Sequence, residues 1–135
     1  MNDLESFVGE ITARNAYMNY SHLEMGLIEK DHTQVVVDLV DELLNPYGSV
    51  HGGLLFTMMD CCAGMTARTD MRKYVTLDGS IHYLRGTVGG ARLTADGRVV
   101  KRGRTTVIVD VRITDEEENL LATGTVTMFC IGEKG

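Results

Sequence analysis

The spacing of apolar positions changes character twice along this chain. Near the N-terminus Leu4, Phe7, Val8 and Ile11 recur at helical spacing, which predicts an amphipathic helix over the first ~15 residues. Two extended runs follow, Leu23–Lys30 and Gln34–Val40, around a turn at Asp31-His32-Thr33. The second contains Val35-Val36-Val37, and β-branched side chains suit a pleated, half-buried surface. Asn45-Pro46-Tyr47-Gly48-Ser49 holds the only proline and reads as a loop.

The stretch Gly52–Ala67 is the most apolar of the chain. Its residues Leu54, Leu55, Phe56, Met58, Met59, Cys61, Cys62, Ala63 and Met65 neither alternate nor keep to one stripe, so it reads as a helix buried nearly all round. It is too short, and with an Asp inside too polar, to span a membrane. Beyond it the period drops to two. Val75, Leu77, Ile81 and Tyr83 alternate with Thr76, Asp78, Ser80 and His82. Val107, Val109, Val111 and Ile113 alternate with Thr106, Ile108, Asp110 and Arg112. Leu120, Ala122, Gly124, Val126, Met128 and Cys130 alternate with Leu121, Thr123, Thr125 and Thr127. This pattern predicts an antiparallel sheet covered on one face. Asp96-Gly97 is expected to mark a bulge or bend in Ala91–Arg102. One buried helix and about six strands pack most economically as a curved antiparallel sheet wrapped around that helix, an α+β fold.

Length and charge narrow the picture. The 135 residues suit a single domain, 1–135, with 1–20 as an N-terminal helical segment. A net charge of -6 argues against a nucleic-acid partner, although Arg98, Lys101, Arg102 and Arg104 cluster. Cys61, Cys62 and Cys130 are odd in number and two are adjacent, which is no disulfide framework. The N-terminus carries acids where a secretory leader needs a basic and an apolar region. Reduced thiols in a cytoplasm fit best. Neither the cysteines nor the four histidines match a zinc spacing, and no phosphate-binding glycine loop is present. No metal and no cofactor is expected.

Asp60 is the informative residue. It is the only charged residue between Glu42 and Arg68, and it lies inside the buried helix. A carboxylate there needs a reason, because burying an unpaired charge is costly. Either the helix turns it to a wet edge, or it is a general base or nucleophile in a half-apolar site. His51-Gly52-Gly53 precedes the helix. Two glycines let a substrate approach the backbone, and the first free N–H groups of the helix would stabilise an oxyanion. The same residues also serve a loop that merely needs glycine, and His51 alone reads as structural or as a base.

Asn45, Gly48, His51-Gly52-Gly53 and Asp60, at these spacings, resemble the signature of hotdog-fold thioesterases of the phenylacetate-pathway type. Thr76-Leu77-Asp78-Gly79-Ser80-Ile81-His82-Tyr83-Leu84 and Lys101-Arg102-Gly103-Arg104 continue the resemblance. It implies a hotdog fold and hydrolysis of an acyl-CoA to free acid and CoA. Asn45 and the Gly52 N–H would polarise the thioester carbonyl, and Asp60 of a neighbouring subunit would activate water or attack. Thr76 stands where some members carry a serine that orients the water, and Gly53 belongs to the binding turn. The basic cluster Arg98–Arg104 reads either as a solvated face or, through Lys101, Arg102 and Arg104, as the group that meets the CoA phosphates, a task suited to Arg and Lys. Leu54, Phe56, Met58 and Met59 are candidates to line an apolar acyl pocket. A homodimer or dimer of dimers is implied, with no membrane partner. The rival readings are a hotdog hydratase or dehydratase with His51 as base, and a module that binds acyl-CoA without turning it over.

Overall fold

The computed structural model describes residues 2–133. Met1, Lys134 and Gly135 of the expected 1–135 domain lie outside the described residues. The N-terminal segment is two helices, α1 (Asp3–Arg14) and α2 (Ala16–Tyr20). Asn2 and Glu5 close a reciprocal capping box on α1, and Asn15 ends α1 and caps α2 by accepting from the Met18 N–H. Val8 and Met18 are fully buried and tie this segment to the body.

The body is a six-stranded antiparallel sheet around one long helix, α3 (Gly52–Ala67). The strands are β1 (Glu24–Glu29), β2 (His32–Asp38), β3 (Lys73–Tyr83), β4 (Arg92–Arg102), β5 (Thr106–Thr114) and β6 (Leu120–Gly132). Their order is β1-β2-β4-β5-β6-β3, so β3 is an edge strand that pairs only with β6. This is the sheet around a buried helix that the sequence pattern implied, and the hotdog architecture that the family resemblance implied. Met58, Met59, Cys62, Ala63 and Met65 of α3 pack against Val107, Val109, Val111, Val126 and Met128 of the sheet, all nearly inaccessible. Among the described residues no helix is long and apolar enough to cross a membrane.

Three local expectations change. The alternation along β3 is broken by a bulge at Leu77, where the pairing passes from Thr76↔Met128 to Asp78↔Thr127. The extra residue shifts the phase, as bulges do. Thr76 therefore faces α3 together with Gly79, Ile81 and Tyr83, while Val75 turns to the outer face and is 47% exposed. Asp96-Gly97 is not a bulge: β4 keeps register there, and its irregularity falls between Val99 and Lys101. Gly97 is needed for close approach, since a Cβ would lie 2.5 Å from Thr66 Oγ1 and 2.8 Å from Cys62 Sγ. In β6 a shift opposite Ile113 and Thr114 buries Leu121 as well as Ala122.

Candidate active site

The start of α3 is shaped by the loop before it. Asn45 Oδ1 accepts from the N–H groups of Tyr47 (2.9 Å) and Ser49 (3.0 Å), and Asn45 N donates to Ser49 O at 2.7 Å. The turn thus consumes the side-chain oxygen, and the amide Nδ2 hydrogens are the donors left to face outward. His51 is the N-cap, its Nδ1 accepting from the Gly53 N–H at 2.8 Å. That bond fixes the proton of the neutral ring on Nε2 and spends the Gly53 N–H on the helix. The Gly52 N–H, at the first helical position, has no acceptor within the helix. Asn45 and Gly52 line one cleft of about 390 Å³ with Leu55, Tyr83, Leu84 and Arg85. The Tyr83 hydroxyl donates to Gly52 O at 3.0 Å and closes that cleft on the β3 side.

From there one face of α3 runs antiparallel to β3, its residues spaced by four: Gly52, Phe56, Asp60, Gly64 and Arg68. Gly52 lies under the Tyr83 ring, and Phe56 lies against Gly79. Asp60 Oδ1 accepts from Thr76 Oγ1 at 2.6 Å, and Arg68 Nη2 donates to Tyr74 O at 3.0 Å. The bulge at Leu77 is what aims Thr76 at this face. Asp60 is half-buried beside the exposed Phe56 and Thr76, so the carboxylate is neither enclosed nor fully in solvent. Of the apolar candidates for a pocket wall, Leu54, Met58 and Met59 are buried in the core, and only Phe56, 38% exposed, reaches the face beside Asp60. Burial pushes the Cys61 thiol up to about 11, the Asp60 charge adding to the rise and Arg68 opposing it. Cys62, wholly buried, is pushed to about 12. Both thiols are neutral packing groups near neutral pH.

Within one chain the two groups of candidate residues are apart. Asp60 follows Gly52 by eight residues on a straight helix, which separates them by ~12 Å along the axis. Asn45 and Gly52 share a cleft, Asp60 and Thr76 share a hydrogen bond, and the chain does not bring the pairs together.

The basic cluster divides. Lys101 and Arg104 are exposed. Arg102 is not a surface cation as expected. Its guanidinium donates to Asp31 Oδ1 (2.8 Å), Asp70 Oδ2 (2.7 Å) and the helix-end carbonyls of Ala67 (2.9 Å) and Thr66 (3.3 Å). It closes the C-terminus of α3, where a cation is favoured. Burial raises the Asp70 carboxyl, but bonds from the Tyr74 hydroxyl and Arg72 and the charge of Arg102 outweigh it and leave Asp70 below the usual range. Sequence reading passed over Arg85, which lines the Asn45–Gly52 cleft and donates to Asn119 Oδ1 at 2.9 Å. It also passed over Tyr83 and Arg68. The signal available was the repeat of four along α3, masked by the uniform apolarity around it.

These features define a small hotdog protein with a carboxylate–hydroxyl pair on the helix face and a donor cleft at the helix start. The chain belongs to the thioesterase superfamily, whose model matches residues 47–122. By sequence it is 26% identical over 117 residues to the acyl-coenzyme A thioesterase PaaI of Escherichia coli, covering 81% of this chain and 84% of that one. The solved E. coli PaaI superposes with a TM-score of 0.93 over 97% of this chain and 95% of that chain, and at 21% identity there this shows the fold. A Streptococcus mutans protein solved bound to acetyl-CoA is 40% identical, with a TM-score of 0.80 over 84% of this chain and 91% of its own. A hypothetical thioesterase protein from Streptococcus pneumoniae solved with coenzyme A is 36% identical, with the same TM-score and coverage. That Streptococcus pneumoniae protein has also been solved with an aspartate, and separately a threonine sixteen positions further on, replaced by alanine.

Proposed function

We propose that this chain hydrolyses an acyl-CoA thioester to free acid and CoA at a site shared between two copies of itself. The observation that carries the proposal is the division along α3. The donors suited to a thioester oxygen, Asn45 Nδ2 and the Gly52 N–H, belong to the start of the helix, and the residue whose carboxylate suits the reacting carbon lies ~12 Å further along its axis. A second copy brings its own Asp60 to the first copy's cleft. Edge strand β3 offers the place for it, with Leu77 63% and Tyr83 54% exposed along its length. Open edges invite pairing, and a two-fold axis there makes both sites equivalent.

In this reading Asn45 and Gly52 hold the carbonyl oxygen as negative charge develops on it. Asp60 of the other copy takes a proton from water as that water attacks the carbonyl carbon, and Thr76 fixes the carboxylate. Alternatively Asp60 attacks and forms an acyl-aspartyl anhydride, which water then opens. In both cases the carbon–sulfur bond breaks: in the first the proton taken by Asp60 passes to the sulfur of CoA, and in the second CoA leaves as a thiolate that takes its proton from solvent, the water that opens the anhydride restoring the Asp60 carboxylate and releasing the acid. The relatives solved with acetyl-CoA and CoA support the ligand class, and the aspartate–threonine spacing of the Streptococcus pneumoniae variants equals that of Asp60 and Thr76. Lys101 and Arg104 are assigned to the CoA phosphates. Arg102 is released from that role, because its donors are spent on Asp31, Asp70 and the helix end. The protein is assigned to the cytoplasm as one domain over 1–135.

The test is thiol release from a panel of acyl-CoAs, read chromogenically, for the wild type and Asp60→Asn. Release that depends on Asp60 supports the reading. Hydration of an enoyl-CoA without thiol release, or saturable binding without turnover, overturns it.

A further inference from the structure

Tyr83 and His51 hold the two ends of one peptide unit, the one that follows Gly52. The Tyr83 hydroxyl donates to Gly52 O at 3.0 Å, and His51 Nδ1 accepts from the Gly53 N–H at 2.8 Å. The peptide unit before Gly52 is held as well, since His51 O accepts from the N–H groups of Leu54 (3.0 Å) and Leu55 (3.3 Å). Gly52 Cα is the joint between these two units. A glycine has the widest choice of backbone angles, and here a second glycine follows it. With both flanking units held, the angles at Gly52 are set, and with them the direction of its N–H. The tyrosine is not needed to form the helix. The ladder of α3 uses one lone pair of the Gly52 carbonyl, and the hydroxyl takes the other. Nor does burial force the bond, because Tyr83 is 54% exposed and its hydroxyl could bond to water instead. The bulge at Leu77 brings it there, by putting Thr76 and Tyr83 on the same face of β3. Thr76 then reaches Asp60 at one end of the strand, and Tyr83 reaches Gly52 at the other.

We infer that Tyr83 is a positioning residue for the Gly52 donor: with His51 it clamps the Gly52–Gly53 peptide, and so aims the Gly52 N–H into the cleft shared with Asn45. The inference rests on the proposed role of that N–H in holding the thioester oxygen. A donor stabilises a developing oxyanion by being in place before the charge appears. Its misplacement is therefore felt in kcat more than in substrate binding. In this arrangement His51 acts through the lone pair of Nδ1, as a cap, and not by moving a proton. Another side chain with an acceptor in that place can stand in for it. Tyr83 acts through its hydroxyl. Its ring packs on Gly52, with atoms 3.4 and 3.5 Å from where a Cβ would stand, and lines the cleft beside Leu55 and Arg85. The hydroxyl and the ring are thus separable by substitution.

The experiment compares wild type with Tyr83→Phe, His51→Ala and His51→Asn by two readouts, with a thermal melt of each. Tyr83→Phe keeps the ring on Gly52 and along the β3 edge and removes only an exposed hydroxyl, so the fold and the pairing edge are preserved. The first readout is steady-state kinetics on one acyl-CoA. Tyr83→Phe is expected to lower kcat by about tenfold, short of the ~10²–10³-fold cost of removing an oxyanion donor outright, and to change KM by less than about twofold. His51→Ala is expected to lose a similar factor, and His51→Asn to recover most of it, because asparagine is a good N-cap. The second readout is the carbonyl stretch of an isotope-labelled thioester, by difference infrared spectroscopy on an Asp60→Asn background that binds without turnover. Donors at Asn45 and Gly52 lower this frequency relative to free acyl-CoA, and adding Tyr83→Phe is expected to move it part of the way back. A folded Tyr83→Phe enzyme with only a lower Tm, its kcat and carbonyl frequency unmoved, makes Tyr83 structural and overturns the inference. So does a folded His51→Asn enzyme as impaired as His51→Ala, since the imidazole and not the cap would then matter. The two levels separate by the same spectrum. No lowering with Tyr83 intact sinks the proposed role of Gly52 itself, whereas a lowering that Tyr83→Phe does not relax sinks only the clamp.

Discussion

Thr76 Oγ1 donates to Asp60 Oδ1 across 2.6 Å, from an edge strand to the one acidic residue of the central helix. The bond exists because the bulge at Leu77 turns Thr76 inward. A hydrogen bond to a charged group is worth roughly 1.5–3 kcal/mol. Thr76→Ala is therefore expected to lower kcat by about 10–100-fold, and Thr76→Ser to restore most of it. Asp60→Asn keeps the volume and is expected to lower kcat by ~10²–10⁴-fold with little change in substrate binding. Steady-state kinetics on purified, folded variants check both. A Thr76→Ala enzyme at wild-type rate removes Thr76 from the machinery.

The two kinds of cation in the cluster 101–104 separate by measurement. Lys101→Ala or Arg104→Ala is expected to raise KM for acyl-CoA and leave KM for a short acyl-pantetheine thioester unchanged. Added salt should mimic the change, since exposed charges are screened. Arg102→Ala is expected to leave both KM values alone and to destabilise the fold by on the order of 2–3 kcal/mol. That is less than for a fully buried pair, because the Arg102 side chain keeps 18% of its exposure. Thermal melts and the two-substrate comparison decide it.

The helix was legible in the sequence almost to the residue. Two glycines after a capping histidine mark its start, and an unbroken apolar run can be buried only at the centre of the fold. β5 followed its alternation throughout, since it lies mid-sheet with one face on the core. β3 did not, because a bulge is set by pairing with β6 and the apolar-polar alternation runs straight through Leu77. Arg102 read as a phosphate ligand because its partners Asp31 and Asp70 are 71 and 32 residues away. Local spacing cannot show an ion pair of that range. Asp60 stood out for the opposite reason: a lone charge in an apolar run is conspicuous before any tertiary contact is known.

Acid should weaken the fold through Asp70 and Asp96. Burial raises both carboxyls, but the bonds they accept leave both below the usual range; for Asp96 these come from His32, Gln34 and Arg98. A carboxyl depressed in the folded state holds fewer protons there than in the unfolded chain. Its contribution is then complete above the unfolded value of about 3.9 and is lost as pH falls through the lower folded value. The Tm is expected to be nearly flat from neutrality down to about pH 5 and to fall below about pH 4. Arg102→Ala, having removed a partner of Asp70, should show a shallower fall. Melts across this range, on wild type and variant together, are the check.

The shared site can be tested by mixing two inactive variants. Asn45 uses Oδ1 to hold its turn and has Nδ2 left as the donor. Asn45→Asp therefore keeps the acceptor that the turn requires and removes the donor that the carbonyl requires. Asp60→Asn removes the other half. Each variant alone should be nearly inactive, because every site in its dimer carries one lesion. Unfolded and refolded together in equal amounts, the chains pair at random and about half the dimers are mixed. In a mixed dimer one site brings the two substituted positions together and carries both lesions. The other combines the intact Asn45 and Gly52 of one chain with the intact Asp60 of its partner. Half the dimers then hold one working site of two, and about a quarter of wild-type activity should return. Sites built within a single chain would return nothing, since no chain in the mixture is intact. A refolded mixture that stays inactive, beside refolded wild type that recovers, would reject the shared site and require Asp60 and Gly52 of one chain to meet across the two helical turns that now separate them.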